Sequence, residues 1–490
     1  MSRIAVVGAG PAGLTAAWEL SAAGVDVTVL EADPVYVGGI SRTVRYNGFC
    51  FDIGGHRFFS KSLEIEDLWN KMLPDGMLAR PRSSRIYYAG KYFSYPLKPV
   101  EALVTLGVSE SLACMASYAR SRAFPVRDPD NFEDWVTNEF GRRLYRIFFK
   151  AYTEKVWGTD CRRISADWAA QRIKGLSLSS AITGALLPNR NRKKSIKTLI
   201  DSFRYPLKGP GMLWESCAEQ LRARGAPILM GRRVVGCEQL PRCGYRLVHQ
   251  GQGGDTEALE VEQVISTMPL PSLIQALQPE PSLATRDAAG ALRHRDFLIV
   301  VLIAHDRGTV HDNWIYIQDP GVKVGRVQNF KSWSPEMVPD PTKAAYGCEY
   351  FCDENDSLWS SKDGILIDLA KRELSQLGLV RTADVVDACV VRQRKAYPVY
   401  DPGYAARIDR IRAELSQRYP GLHVVGRNGM HKYNNQDHSM MTALLAARNI
   451  LAGRTQFDVW RVNQDAEYHE EALEGGAPRK SMGGPRRGGG

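Results

Sequence analysis

Three glycines in VVGAGPAG, Gly8, Gly10 and Gly13, are spaced to cradle a pyrophosphate. The first permits a tight turn, the second lets the backbone approach the anion, and the third lets a helix pack closely on a strand. Glu31, about twenty residues on, can accept hydrogen bonds from a ribose. Near the other end, RNGMHKYNNQDHSMM (427–441) crowds amides, His and Asp between a strand-like run and an alanine-rich helix. A helix N-terminus there would offer backbone amides to negative charge. A plain helix cap by Asp437 or Ser439 would use only one or two of these groups. No Ser-His-Asp set and no paired metal-ligand spacing is read, which is consistent with chemistry carried by a cofactor, and no metal is expected.

These groups need elements to hold them. Ile4–Val7 reads as a buried strand, Pro11–Ala23 as a helix and Val27–Leu30 as a second strand, together a βαβ unit. Phe132, Trp135, Val136, Phe140, Leu144, Ile147 and Phe148 recur at spacings of three and four, one buried stripe in a mainly helical stretch from about Pro99 to Tyr205. Met212–Arg224 predicts a helix and 261–269 a buried strand. Between 297 and 350 the runs FLIVVLIA, NWIYIQ, VGRVQNF and AAYGCEYF predict strands. A helix at Lys362–Leu377 and a strand near Ala388–Arg392 follow, and Leu422–Val425 and Met440–Leu451 end the pattern as strand and helix. From about Gly475 the composition of Gly, Pro, Arg and Lys cannot order itself.

A chain of 490 residues, 44% hydrophobic and 24% charged, is globular in composition and long enough for two to three structural units. Nine scattered cysteines without a CxxC predict reduced thiols and a cytoplasmic setting. No signal peptide is read, and the longest apolar run, Phe297–Ala304, is far too short to cross a bilayer. The net charge of +10 suits an anionic ligand without implying nucleic acid, and NRNRKKS (189–195) reads as a solvated loop. The loop around 185–197 has a composition that permits a mobile lid.

VGGISRT (37–43) follows the acid, and FDIGGHRFFS (51–60) adds two glycines beside a His. Here the chain resembles the glutathione-reductase-type FAD proteins that carry a GGxxRT extension. These include amine oxidases, desaturases, protoporphyrinogen oxidases and UDP-galactopyranose mutases. No second GxGxxG follows a later strand, which argues against a dedicated NAD(P)H domain. The resemblance is strongest to the UDP-galactopyranose mutases, in pieces from residue 3 to about 452. The pieces are FDIGGHRFFS, NFEDWVTNEFGRRL, YTEKVWGTD, AAQRI, NWIYIQ, GRVQNFKSWSP, AYPVYDPGY and GRNGMHKYNNQDHSM. The chain departs from that pattern at Leu97, Thr153 and His431 and has a shorter loop after Tyr433, changes that leave the base and sugar open.

The resemblance implies an α/β fold. A Rossmann-like FAD-binding domain is drawn from 1–98, 206–280 and 401–460, with an inserted, mainly helical domain at 99–205 and a β-sheet substrate domain at 281–400. Residues 461–490 form a partly disordered tail. It implies FAD contacts from Gly8, Gly10, Gly13, Glu31, Gly38, Gly39, Arg42, Gly54, Gly55, His56, Val234, Arg427, Asn435, Gln436, Asp437, Ser439 and Met440. Tyr95, Trp157, Arg172, Tyr316, Arg326, Tyr397 and Tyr433 fall on its substrate positions, and Arg172, Arg326 and His56 on its catalytic ones. Two arginines from distant segments suit a diphosphate, since each gives charge-assisted hydrogen bonds.

The implied activity is an FAD-dependent nucleotide-sugar mutase, exchanging pyranose and furanose rings of a UDP-galactose-like substrate, as in polysaccharide biosynthesis. Reduced flavin N5 is the nucleophile, and an external reductant, NAD(P)H for instance, keeps the flavin reduced. The rival is an oxidoreductase of the amine oxidase, protoporphyrinogen oxidase or desaturase type, which shares every FAD motif. The oligomeric state is left open.

Overall fold

The computed structural model describes residues 3–166 and 202–463. Arg172, the loop at 185–197 and the tail beyond residue 463 lie outside the described residues. Two main sheets organise the rest.

The first is a five-stranded parallel sheet, ordered Leu422–Val424, Gln263–Ser266, Arg3–Val7, Asp26–Leu30 and Ile228–Leu229. The strands Arg3–Val7 and Asp26–Leu30 are joined by the helix Pro11–Ala22, as the βαβ reading predicts. Both faces of this sheet are covered. Ile4, Val6, Val27 and Val29 pack on the helices Pro11–Ala22, Gly211–Ala223 and Gln436–Leu451. Ala5, Val7 and Leu30 pack on a second, four-stranded sheet and the helix Tyr404–Arg418. Burial on both faces explains why these strands read as continuous apolar runs. The predicted strand at 261–269 is divided. Val261 ends the strand Thr256–Val261 of the four-stranded sheet, and Gln263–Ser266 crosses into the parallel one.

The second main sheet has seven strands, ordered Val385–Pro398, His294–His305, Lys343–Cys352, Arg326–Asn329, Trp314–Ile317, Ser84–Tyr88 and Lys91–Ser94. It is antiparallel except where Trp314–Ile317 runs parallel to Ser84–Tyr88. FLIVVLIA lies in the second strand of this order, His294–His305, where alternate residues serve two cores. Leu298, Val300 and Leu302 meet the helix Asp363–Gln376, while Phe297, Ile299, Val301 and Ile303 meet Trp333 and Tyr397 on the other face. The hairpin 84–94 belongs to this sheet although it precedes the helical segment in sequence.

The helical segment contains Pro99–Leu106, Val108–Ala123, Phe132–Phe140 and Ala151–Trp157. The predicted stripe is buried at Phe132, Val136, Phe140, Leu144, Ile147 and Phe148. It is broken at Gly141, whose φ of +84° suits glycine, and its last turn, Arg146–Lys150, is a π-helix. Ser202–Pro206, near the end of this stretch, is a strand paired with Met77–Pro81. All nine cysteines are free thiols. Among the described residues no helix is long and apolar enough to cross a membrane.

Candidate functional site

The glycine turn has the geometry that a pyrophosphate needs. Gly8 has φ +100°, and a Cβ on Gly13 would lie 1.8 Å from the Gly8 carbonyl oxygen. The helix starting at Pro11 has Gly10 as its N-cap, so no side chain satisfies its first amides. Gly39 faces Gly10 so closely that a Cβ there would stand 3.3 Å from the Gly10 Cα, and the Gly38 amide donates to the Ala9 carbonyl. The second glycine pair of VGGISRT therefore closes over the first motif, a cradle that side chains would fill. Glu31 accepts from the amides of Ala9 (2.6 Å) and Asp33 (2.8 Å), one on each oxygen, and its burial raises its pKa. It clamps the turn itself, and the spare lone pair on each oxygen is what a ribose could use. Arg42 donates to the Gly39 carbonyl (3.0 Å) and to Gln393 (2.7 Å). Val234 is buried with Val7 and Leu30, beside the end of the strand that delivers Glu31.

The two chain ends meet at the Gly54–Arg57 loop. Gln436 Nε2 donates to the Arg57 carbonyl (3.0 Å), and Trp69 Nε1 contacts Met440 Sδ (3.1 Å). The helix begins at Gln436, four residues before the predicted Met440, because Asn435 and His438 form a capping box. The cap is therefore Asn435 rather than Asp437 or Ser439, both of which are buried in the first turn. Around this junction the described residues offer no partner to four buried polar atoms: His56 Nδ1, Gln328 Oε1, Gln436 Oε1 and Arg42 Nε. Gly55 faces Gln328 and Gly54 faces the His56 ring. Such atoms are costly unless a ligand meets them. With the glycine cradle, they make a set that fits FAD from pyrophosphate to ring.

A row across the seven-stranded sheet builds the adjoining pocket. Tyr316 pairs with Arg326, and Arg326 with Glu349, so the three side chains share one face. Arg326 Nε donates to Glu349 Oε2 (2.6 Å), and Gln328 Nε2 donates to Glu349 Oε1 (2.5 Å). Tyr95 and Tyr152 pack on Tyr316 with ring centroids at 4.6 and 5.2 Å. Tyr397 and Tyr433 stack at 5.7 Å, and the Arg427 guanidinium lies over both rings. Arg427 is held by the carbonyls of Asn434 and Ala396, with no carboxylate among the described residues. His56 senses this field: burial first, then Arg427 and Arg326, push its pKa down to about 3, so its ring is neutral.

The structure thus gathers His56, Tyr95, Tyr316, Arg326, Tyr397, Arg427 and Tyr433. Trp157 is buried in the helical core and lines a cleft of about 370 Å³ with Arg163, Arg293 and Tyr400. Tyr400 links that cleft to the pocket by accepting from the Tyr433 amide. Sequence reasoning missed Glu349, Tyr152 and Gln328. Glu349 had a visible signal, a lone carboxylate inside the apolar run AAYGCEYF, which demands a buried partner. Asp52 was also missed. It is fully buried, accepts from Tyr205 and Thr43, and burial pushes its pKa up to about 8.

The family model for flavin containing amine oxidoreductases matches residues 11–451. The chain is 26% identical over 453 residues to coproporphyrinogen III oxidase of Mycobacterium leprae, covering 86% of this chain and 92% of that protein. It is 27% identical over 174 residues to dTDP-fucopyranose mutase of Escherichia coli, covering 34% of this chain and 44% of that one. The fold superposes on the crystal structure of a reduced UDP-galactopyranose mutase with a TM-score of 0.79 at 23% identity, covering 93% and 95% of the two chains.

Proposed function

The chain belongs to the flavin-containing amine oxidoreductases and is an FAD-dependent enzyme, and from that premise we propose that it is a nucleotide-sugar mutase, exchanging the pyranose and furanose rings of a UDP-galactose-like substrate. Bound FAD, once reduced, supplies a nucleophile for the anomeric carbon. The residues of this chain bind, orient and screen charge.

One observation carries the reading. The pocket beside the cofactor site has an arginine without a carboxylate, Arg427, a second arginine balanced by Glu349, a neutral His56, and hydroxyls from Tyr95, Tyr316, Tyr397 and Tyr433. The net charge of that set is positive. It favours a diphosphate and disfavours the ammonium group of an amine substrate. In this reading Arg326 and Arg427 hold the leaving diphosphate near the anomeric carbon, where return is faster than escape. Tyrosine hydroxyls orient the sugar without adding charge. His56, neutral across the working pH range, exchanges a hydrogen bond at its buried Nδ1. Arg172, the first diphosphate arginine by resemblance with Arg326 the second, lies outside the described residues and would add to this pair.

A second reading has its own support. The relative that spans most of this chain is named for coproporphyrinogen oxidation. A tetrapyrrole bearing carboxylates would also suit a cationic, aromatic pocket. The test sets both against one preparation. Dithionite-reduced enzyme is given UDP-galactopyranose and other sugar nucleotides, and oxidised enzyme is given coproporphyrinogen III in air. Furanose product formed only in the reduced state supports the mutase. Porphyrin formation without sugar isomerisation overturns it, and an Arg326→Ala variant that keeps FAD and full mutase activity removes Arg326 from the diphosphate site.

A further inference from the structure

Among the described residues, the helical segment presents exposed large apolar side chains. Val100 and Val104 lie one turn apart on the helix Pro99–Leu106 and are 54% and 77% exposed. Val108, Leu112 and Met115 follow at i, i+4 and i+7 on the helix Val108–Ala123, at 80%, 65% and 45%. Phe124, 79% exposed, ends the row. This spacing places Val108, Leu112 and Met115 on one side of their helix. The opposite side is the one that packs. Cys114 and Ser121 are buried there, and Glu110 pairs there with the half-exposed Arg143. A cluster of exposed large apolar side chains, with Val108, Leu112 and Met115 sharing one helix face, marks a surface that meets something.

The charges around it select the partner. Arg120, Arg122 and Arg127 are exposed at the Phe124 end and have no carboxylate partner among the described residues. Lys98 stands at the other end, 4.0 Å from Glu101. Glu101, the carboxylate between Val100 and Val104, accepts from Ser94 Oγ (2.7 Å). Asp128 and Asp130 come after the face, where the chain turns back toward Asn131 and Asn138. Apolar side chains with three exposed arginines at one end match the boundary between acyl chains and anionic headgroups. A second copy of the same face would bring only the same arginines against these. We infer that this face rests on an anionic lipid surface and holds the enzyme to a membrane peripherally.

Full-length, FAD-loaded protein is co-sedimented with phosphatidylcholine vesicles, with and without phosphatidylglycerol. It is expected to bind when phosphatidylglycerol is present and to be released by salt. The exposed pair Val108→Asp/Leu112→Asp is expected to weaken binding by more than about tenfold, since it removes two insertable side chains. Flavin absorbance and melting temperature should stay at wild-type values. Arg120→Gln/Arg122→Gln is expected to weaken binding to phosphatidylglycerol vesicles as well. Wild-type protein that stays in the supernatant with every vesicle overturns the inference, as does a Val108→Asp/Leu112→Asp protein that binds as before. A dimer in sedimentation velocity that this variant dissociates, with no vesicle binding, assigns the face to a second copy and also overturns it.

Discussion

Glu349→Gln removes one negative charge from the candidate site with almost no change in shape. Glu349 is fully buried, and the Arg326 side chain is 16% exposed. Burial drives the Glu349 carboxyl toward neutrality, and Arg326 is the strongest influence holding it ionised. Breaking such a pair from one side leaves an uncompensated buried charge, at a cost of about 3–5 kcal/mol. At roughly 2 °C per kcal/mol for a large cooperative unit, the melting temperature of the FAD-loaded protein should fall by about 6 °C or more. The same change should help an anionic ligand. With an effective dielectric of ~20, a carboxylate about 8 Å from a phosphate charge repels it by about 2 kcal/mol. Losing that repulsion tightens the complex roughly thirtyfold. The variant is therefore expected to be less stable and to bind UDP more tightly, read by thermal melting and by calorimetric titration. An unchanged melting temperature, or UDP affinity that fails to rise, would refute the view that Glu349 neutralises a diphosphate arginine.

Gly13→Ala should purify without flavin absorbance, because its Cβ would lie 1.8 Å from the Gly8 carbonyl oxygen; stoichiometric FAD would contradict the cradle. His431 is fully buried against His294, and its pKa falls from an ordinary 6.5 to about 3 through burial, with His294 adding to the shift. The folded protein thus holds fewer protons than the unfolded chain in that window, so stability is lost as pH falls through it. The loss is about 3 kcal/mol between roughly pH 7.5 and 4.5. His431→Asn, which tolerates the φ of +46°, should lack that loss; urea melts of variant and wild type that stay parallel across the window would exclude the account. Asp52 works in the opposite sense. Its pKa rises from 3.8 to about 8, so the folded state keeps a proton that the unfolded chain releases, and stability falls as pH climbs between those values. Asp52→Asn should gain on wild type by about 1.4 kcal/mol per pH unit there, and a pH-independent difference would count against a neutral Asp52.

What could be read along the chain was what neighbouring residues decide among themselves. Gly8, Gly10, Gly13 and Glu31 sit in one βαβ unit, where turn, helix start and strand end follow from local backbone rules. The strand runs were equally legible, since continuous burial leaves continuous apolar sequence, as in FLIVVLIA. The start of the last helix was not, because four polar residues, Gln436 to Ser439, hide a buried first turn whose cap depends on the pairing of Asn435 with His438. The hairpin 84–94 joined a sheet more than two hundred residues away through a parallel pairing that no local pattern announces. The Tyr316–Arg326–Glu349 row depends on the register of three strands, and the Tyr397–Arg427–Tyr433 stack on where two segments come to rest. Sequence alone thus determined the cofactor cradle, since its requirements are backbone geometry written in adjacent residues. Only the tertiary structure decided the charge of the pocket, because whether an arginine is free or neutralised is set by which distant carboxylate the fold brings within hydrogen-bond reach.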